Sequence, residues 1–199
     1  MLYRSDNNSS NDTLPVSSAS LLARIRLLAM DVDGVLTDGT LGYHSNGSED
    51  KRFHVHDGFG LTLMASIRVD VVWISGRINP AVERRAQELG RIRLLQGVRD
   101  KRTSLQSLMQ AAGLARDEVA YVGDDWNDLG AFAACGLRIA VADARREVRD
   151  RADFVTVAAG GRGAVREVCE ALLDAHGTRE QALEDYLTAL HAGSTSGRQ

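Results

Sequence analysis

Cysteine is scarce in this sequence, and the two residues present, Cys135 and Cys169, lie far apart without metal-ligand spacing. That excludes a zinc site built on clustered thiolates and a disulfide framework, and it predicts two reduced, buried thiols. Long hydrophobic runs are missing too: the longest are strand-sized, so no membrane-spanning segment is expected. The amino-terminal stretch MLYRSDNNSSNDTLPVSSAS lacks the apolar centre of a signal peptide and is rich in Ser, Asn and Asp. Residues 1–20 therefore read as a disordered extension, and the chain as cytoplasmic. Basic excess is absent as well, since 24 Lys and Arg stand against 27 Asp and Glu for a net charge of -3. Nucleic-acid binding loses its usual electrostatic footprint, which leaves small molecules as the expected partners. No internal repeat is found.

What is present is ordinary soluble composition, 44% hydrophobic and 26% charged over 199 residues, enough for one core and one domain. Short apolar runs (IRLLAMDV, VDVVWIS, IRLLQG, EVAYVGD, LRIAVA and DFVTV) alternate with amphipathic, helix-like stretches. This alternation predicts an α/β fold, a doubly wound, mainly parallel sheet covered by helices, with ligands bound beyond the carboxyl ends of its strands. One interval breaks the rhythm: Gly39 to His56 reads as two short strands around an SNGS turn, a small hairpin ahead of the helix DGFGLTLMASIR. After Val157 comes a glycine-rich loop (AAGGRGA) and a helix. TREQALEDYLTALH reads as a further helix, so residues 177–199 form a helix and polar tail beyond a domain at 21–176.

The first apolar strand runs into Asp31 and Asp33. Residues two apart in a strand share a side, so these carboxylates converge. D-x-D alone is weak, because a chain with this charge content produces one by chance. Three further signals sit at successive strand ends: Ser75-Gly76-Arg77, Lys101, and GDDWND from Gly123 to Asp128. Asp31, Asp33 and Asp124 brought together would repel by several kcal/mol, roughly, per pair unless a cation intervenes. Magnesium suits an all-oxygen site, whereas zinc lacks its ligands here. Ser75 and Gly76 offer hydroxyl and N–H donors to phosphate oxygens, and Lys101 a fixed positive charge. One aspartate can attack phosphorus while the other works as acid and base.

In order and placement, DVDGVLTDG, SGR, Lys101 and GDDWND resemble the four motifs of the haloacid dehalogenase superfamily of phosphohydrolases. The resemblance implies Asp31 as nucleophile, Asp33 as acid/base whose backbone carbonyl also contacts magnesium, Asp124 as metal ligand, and Ser75 and Lys101 as phosphate partners. Asp128 is implied as an indirect metal partner, and Asp125 less firmly so. Within the superfamily, NGSEDKRFHVHDGFG, ISGR, GVRDK, YVGDDWND and GGRGAVREVCE resemble the 3-deoxy-D-manno-octulosonate 8-phosphate phosphatases, from about Ile25 to Ala175. That family implies a Rossmann-like core, a minimal hairpin cap, Mg2+, an acidic sugar phosphate substrate of lipopolysaccharide precursor synthesis, and a homotetramer with active sites at subunit interfaces. The loop Gly160, Gly161, Arg162 and Gly163 matches the segment by which a neighbouring subunit helps form the entrance. Relatives acting on sialic-type nine-carbon 9-phosphates are the alternative, and a non-catalytic oligomerisation module is a third reading. Arg77, Lys51 and His56 are candidate contacts for the sugar acid. His56 departs from the arginine many relatives place before the DG pair. His54, His56 and His44 form a weaker candidate accessory metal group, while Trp73 and Trp126 are read as packing residues.

Overall fold

The computed structural model describes residues 2–4 and 16–195. The expected amino-terminal extension falls mostly on residues 1 and 5–15, outside the described residues. Of its described residues, β1 (Tyr3–Arg4) pairs antiparallel with the last sheet strand, and α1 (Val16–Leu22) precedes the first parallel strand.

The remainder alternates as the apolar runs predict: β2 (Leu27–Met30), a hairpin of β3 (Gly42–Tyr43) and β4 (Glu49–Asp50), α2 (Val55–Leu63), β5 (Asp70–Ile74), α3 (Pro80–Leu89) and β6 (Ile92–Leu95). There follow α4 (Lys101–Ala112), β7 (Val119–Gly123), α5 (Leu129–Ala134), β8 (Leu137–Ala140), α6 (Arg146–Arg149), β9 (Phe154–Val155), α7 (Ala164–Ala175) and α8 (Arg179–Thr195). The main sheet has the order β1-β9-β8-β7-β2-β5-β6, parallel except for β1 at one edge. The chain moves outward from β2 to β6, then returns to β7 on the other side of β2. Right-handed crossovers place the helices of these two halves on opposite faces. Accordingly α7 packs on α1, α2 and α8, while α4 packs on α5.

The reversal of winding falls between β2 and β7, the usual ligand crevice of such a sheet. Register brings the acids level there, because Met30 is paired with Val122 on one side and Trp73 on the other. Trp73 is fully buried and stacks on Phe53 with 6.2 Å between ring centroids, so its packing role holds. Trp126 is 63% exposed, its indole N–H donating to Glu147, and the expectation that it packs internally is wrong. The tight turn after Asp125 carries it outward. Both cysteines are free and buried, and burial pushes the Cys135 thiol up to about 12.

The hairpin is smaller than its sequence suggests, with two paired residues on each strand. His54 and His56 do not share a strand face, since α2 begins at Val55, and His44 pairs with Asp50 instead. The accessory metal group is therefore not assembled. The carboxyl-terminal loop packs closely on the segment that follows Asp31. A Cβ at Gly160 would overlap the Gly34 carbonyl, and one at Gly161, which has φ +62°, would overlap the Thr37 backbone. The Gly161 N–H donates to the Val35 carbonyl at 2.8 Å. These glycines thus brace the loop behind Asp31 within their own chain. Asp57 fixes the following helix by accepting from Gly163 N at 3.2 Å and Arg166 N at 2.8 Å. Gly160→Ala is expected to lower stability by about 1–3 kcal/mol through overpacking. Activity should fall with it; a melting temperature and turnover equal to the parent's would refute the close approach.

Candidate active site

Asp31 is the first residue past β2, its backbone N–H bonded to the Val122 carbonyl at 3.0 Å. Its carboxylate is buried, accepts from Val32 N at 2.7 Å and lies 2.7 Å from Lys101 Nζ. Lys101 opens α4 behind the N-cap Asp100, a position where the helix dipole disfavours a cation. Burial presses in the same direction, yet the charges of Asp128 and Asp31 outweigh it and hold the ammonium above its ordinary value. Asp128, with no exposed surface, accepts from Lys101 Nζ at 2.7 Å and from the Tyr121 hydroxyl at 2.8 Å on one oxygen. Its other oxygen accepts from Asp124 N at 3.0 Å and Asp125 N at 3.4 Å. The carboxylates of Asp31, Asp124 and Asp128 converge within 4.8 Å, but this donor set makes Asp128 a strut for Lys101 and the turn.

Asp124 is different. Its Oδ1 is buried with no hydrogen-bond partner, and the carboxylate passes so close to Gly34 that a Cβ there would overlap it. Burial first, then the Asp128 and Asp31 charges, push its carboxyl up to about 8. Burial and Asp128 likewise raise Asp31 to about 7 against the opposing pull of Lys101. A divalent cation shared by Asp31 and Asp124 provides what both require: a partner for the orphaned oxygen and a charge that offsets their repulsion. The donors are all oxygen, as magnesium prefers.

Ser75 and Gly76, the expected phosphate contacts, lie at the neighbouring strand end. Ser75 is buried, held by Leu95 O and by Val98 N, and its hydroxyl accepts from Arg77 N at 3.1 Å. Gly76 follows with only ordinary contact available to a Cβ, to Val98 O. Asp33 faces the hairpin, where Lys51 bonds its Oδ1 and lies 3.2 Å from Glu49. The Lys51 side chain is wholly buried and is directed at these carboxylates. Arg77, 42% exposed, bonds Glu49 at 2.8 Å. His56 is exposed on the first turn of α2, and among its contacts is the His54 ring; none to this ionic chain is found. Asp125 is also exposed and accepts from Trp126 N, which makes it a cap of the turn.

Two site residues escaped the sequence reading. Tyr121 carries a fully buried hydroxyl on the strand leading to GDD, a situation that demands a polar partner. Glu49 lies two residues before Lys51, and this spacing was the available hint. A cavity of about 190 Å³ opens at the opposite rim, beside Asp70 and Ile92, and contains none of these groups.

Comparison with known proteins agrees with the geometry. A family model described as haloacid dehalogenase-like hydrolase matches residues 76–167. The 3-deoxy-D-manno-octulosonate 8-phosphate phosphatase of Escherichia coli K12 is 45% identical over 168 residues, 83% of this chain and 89% of that protein. The chain belongs to this phosphatase family of haloacid dehalogenase-like hydrolases. The Moraxella catarrhalis phosphatase, crystallised with magnesium, phosphate and KDO, superposes with a TM-score of 0.82 at 39% identity, covering 85% of this chain and 98% of its own. The cobalt-bound Haemophilus influenzae phosphatase gives 0.78 at 41% identity, covering 82% and 98% respectively.

Proposed function

We propose that this chain hydrolyses 3-deoxy-D-manno-octulosonate 8-phosphate to the free sugar acid and phosphate, with Mg2+, in lipopolysaccharide precursor synthesis. The observation that carries the proposal is the placement of Asp31 between Lys101 and the unpartnered oxygen of Asp124, in a chain 45% identical to a phosphatase of that name.

The reaction follows from the residues. Ser75 and the Gly76 N–H orient the phosphoryl oxygens, and Lys101 balances their charge. A carboxylate oxygen of Asp31 attacks phosphorus, the P–O bond to the sugar breaks, and Asp33 gives its proton to the departing alkoxide. Asp33 then takes a proton from water, whose oxygen attacks the aspartyl-phosphate and returns Asp31 and inorganic phosphate. Asp31, Asp124 and the Asp33 carbonyl would hold Mg2+, which when bound supplies positive charge at the phosphoryl group. Arg77 at the mouth is suited to a carboxylate by its forked donors.

The hairpin is too short to roof this site, and Leu41, Tyr43 and Val55 are exposed on or beside it. A homotetramer, with neighbouring subunits completing the entrance, covers these side chains and restricts water. Among the described residues no helix is long and apolar enough to cross a membrane, and the two free thiols suit the cytoplasm.

Phosphate release from the eight-carbon 8-phosphate, a sialic-type 9-phosphate and simple sugar phosphates, with Mg2+ or EDTA, tests the proposal. Magnesium-dependent preference for the eight-carbon acid is expected. Preference for a 9-phosphate overturns the substrate assignment, and release from none of them overturns the enzymatic reading.

A further inference from the structure

Four charged side chains form a line from the acid/base to the mouth. Asp33 bonds Lys51, Lys51 lies 3.2 Å from Glu49 Oε1, and Glu49 Oε2 accepts from Arg77 Nη2 at 2.8 Å. The signs alternate, and both ends belong to the proposed chemistry. Lys51 and Glu49 come from the hairpin, whereas Asp33 and Arg77 follow β2 and β5. Glu49 is the only member touching two cations.

The burial gradient makes Glu49 decisive. Lys51 has a fully buried side chain, so its ammonium depends on the carboxylates around it. Asp33 and Glu49 share that charge. Arg77 is 42% exposed, and an exposed guanidinium samples many rotamers unless a partner fixes it. Glu49 does so with charge-assisted contact, hydrogen bonding and charge from Arg77 and Lys51 holding its carboxyl below the usual range.

We infer that Glu49 is a positioning residue: it holds Arg77 toward the substrate's acid group and shares Lys51 with Asp33, so that Lys51 does not draw the Asp33 carboxylate toward the hairpin. The Arg77 half of this inference rests on the sugar-acid reading above, while the Asp33 half rests only on phosphatase chemistry. Without the Glu49 charge, Lys51 retains one carboxylate and binds Asp33 alone. Arg77 loses its charged partner at the same time and keeps only its contact with Tyr43.

The test compares the eight-carbon sugar-acid phosphate with p-nitrophenyl phosphate, which carries no carboxylate, using Glu49→Gln, Glu49→Asp, Lys51→Met and the Glu49→Gln/Lys51→Met double variant. Glu49→Gln should raise KM for the sugar acid about tenfold and leave KM for p-nitrophenyl phosphate unchanged, with kcat falling several-fold on both, roughly. Glu49→Asp should recover part of the loss. The double variant should have a kcat no lower than Lys51→Met alone, because the two residues act through one contact. Unchanged kcat and KM in Glu49→Gln would overturn the inference. Equal KM changes for both substrates alongside a lowered melting temperature would also overturn it, by making Glu49 structural only. A parent enzyme that shows no preference for the sugar acid removes that substrate and the Arg77 half, and the kcat coupling between Glu49 and Lys51 then decides the other half.

Discussion

On the proposed mechanism, Asp31→Asn is expected to lower turnover by about 10⁴-fold or more, as loss of a covalent nucleophile does in enzymes whose site acts as a unit. The same change stabilises the metal-free protein near pH 8. The Asp31 carboxyl is raised to about 7 by burial and by Asp128, which means that its ionised form opposes folding despite the bond to Lys101. A neutral amide of the same shape removes that repulsion. The expected rise is about 3–6 °C, corresponding to roughly 1–2 kcal/mol for a chain of this length. Thermal melts in EDTA check it. A variant that melts well below the parent would show that Lys101 depends on Asp31 more than Asp31 suffers from its neighbours.

Magnesium has its largest stabilising effect at high pH. With Asp31 raised to about 7 and Asp124 to about 8, the metal-free folded state binds more protons than the unfolded chain between about pH 4 and pH 8. Stability therefore falls as pH rises through that window, since the slope follows protons bound by the unfolded state minus those bound by the folded one. A bound cation displaces these protons and offsets the repulsion, with ordinary ligand linkage added. Melting temperature in EDTA should decline from pH 5 to pH 8.5, and the increment given by saturating Mg2+ should grow over the same range. An increment independent of pH would contradict the placement of the cation between these two acids.

The parallel core was legible because burial on both faces writes itself as continuous apolar runs. LLAM, DVVWI and VAYVG could hardly be anything else, and polar residues directly after them had to share one rim. The positions of Asp31, Asp33, Ser75, Lys101 and Asp124, each at a strand end or the helix start that follows, were legible for this reason. What sequence could not supply was direction across space. Lys51 was read as a candidate contact for the sugar acid, and its burial against Asp33 becomes visible only when the hairpin folds back. That Gly160 and Gly161 also admit Gly34 and Thr37 of the same chain at close range is visible only once the chain is folded. Trp126 follows two acids whose turn carries it outward, a matter of one dihedral that no periodicity records. Asp128 illustrates the mixed case: its proximity to the metal was expected, but its role as the shared acceptor for Lys101 and Tyr121 depends on contacts from three elements.

The most direct measurement is acid-quenched turnover of phosphate-labelled substrate, followed by peptide mapping. Covalent label on the peptide containing Asp31, released by hydroxylamine and missing in Asp31→Asn, is the predicted result. Label on another residue, or active enzyme that never accumulates label while Asp31→Asn still turns over, would contradict the account.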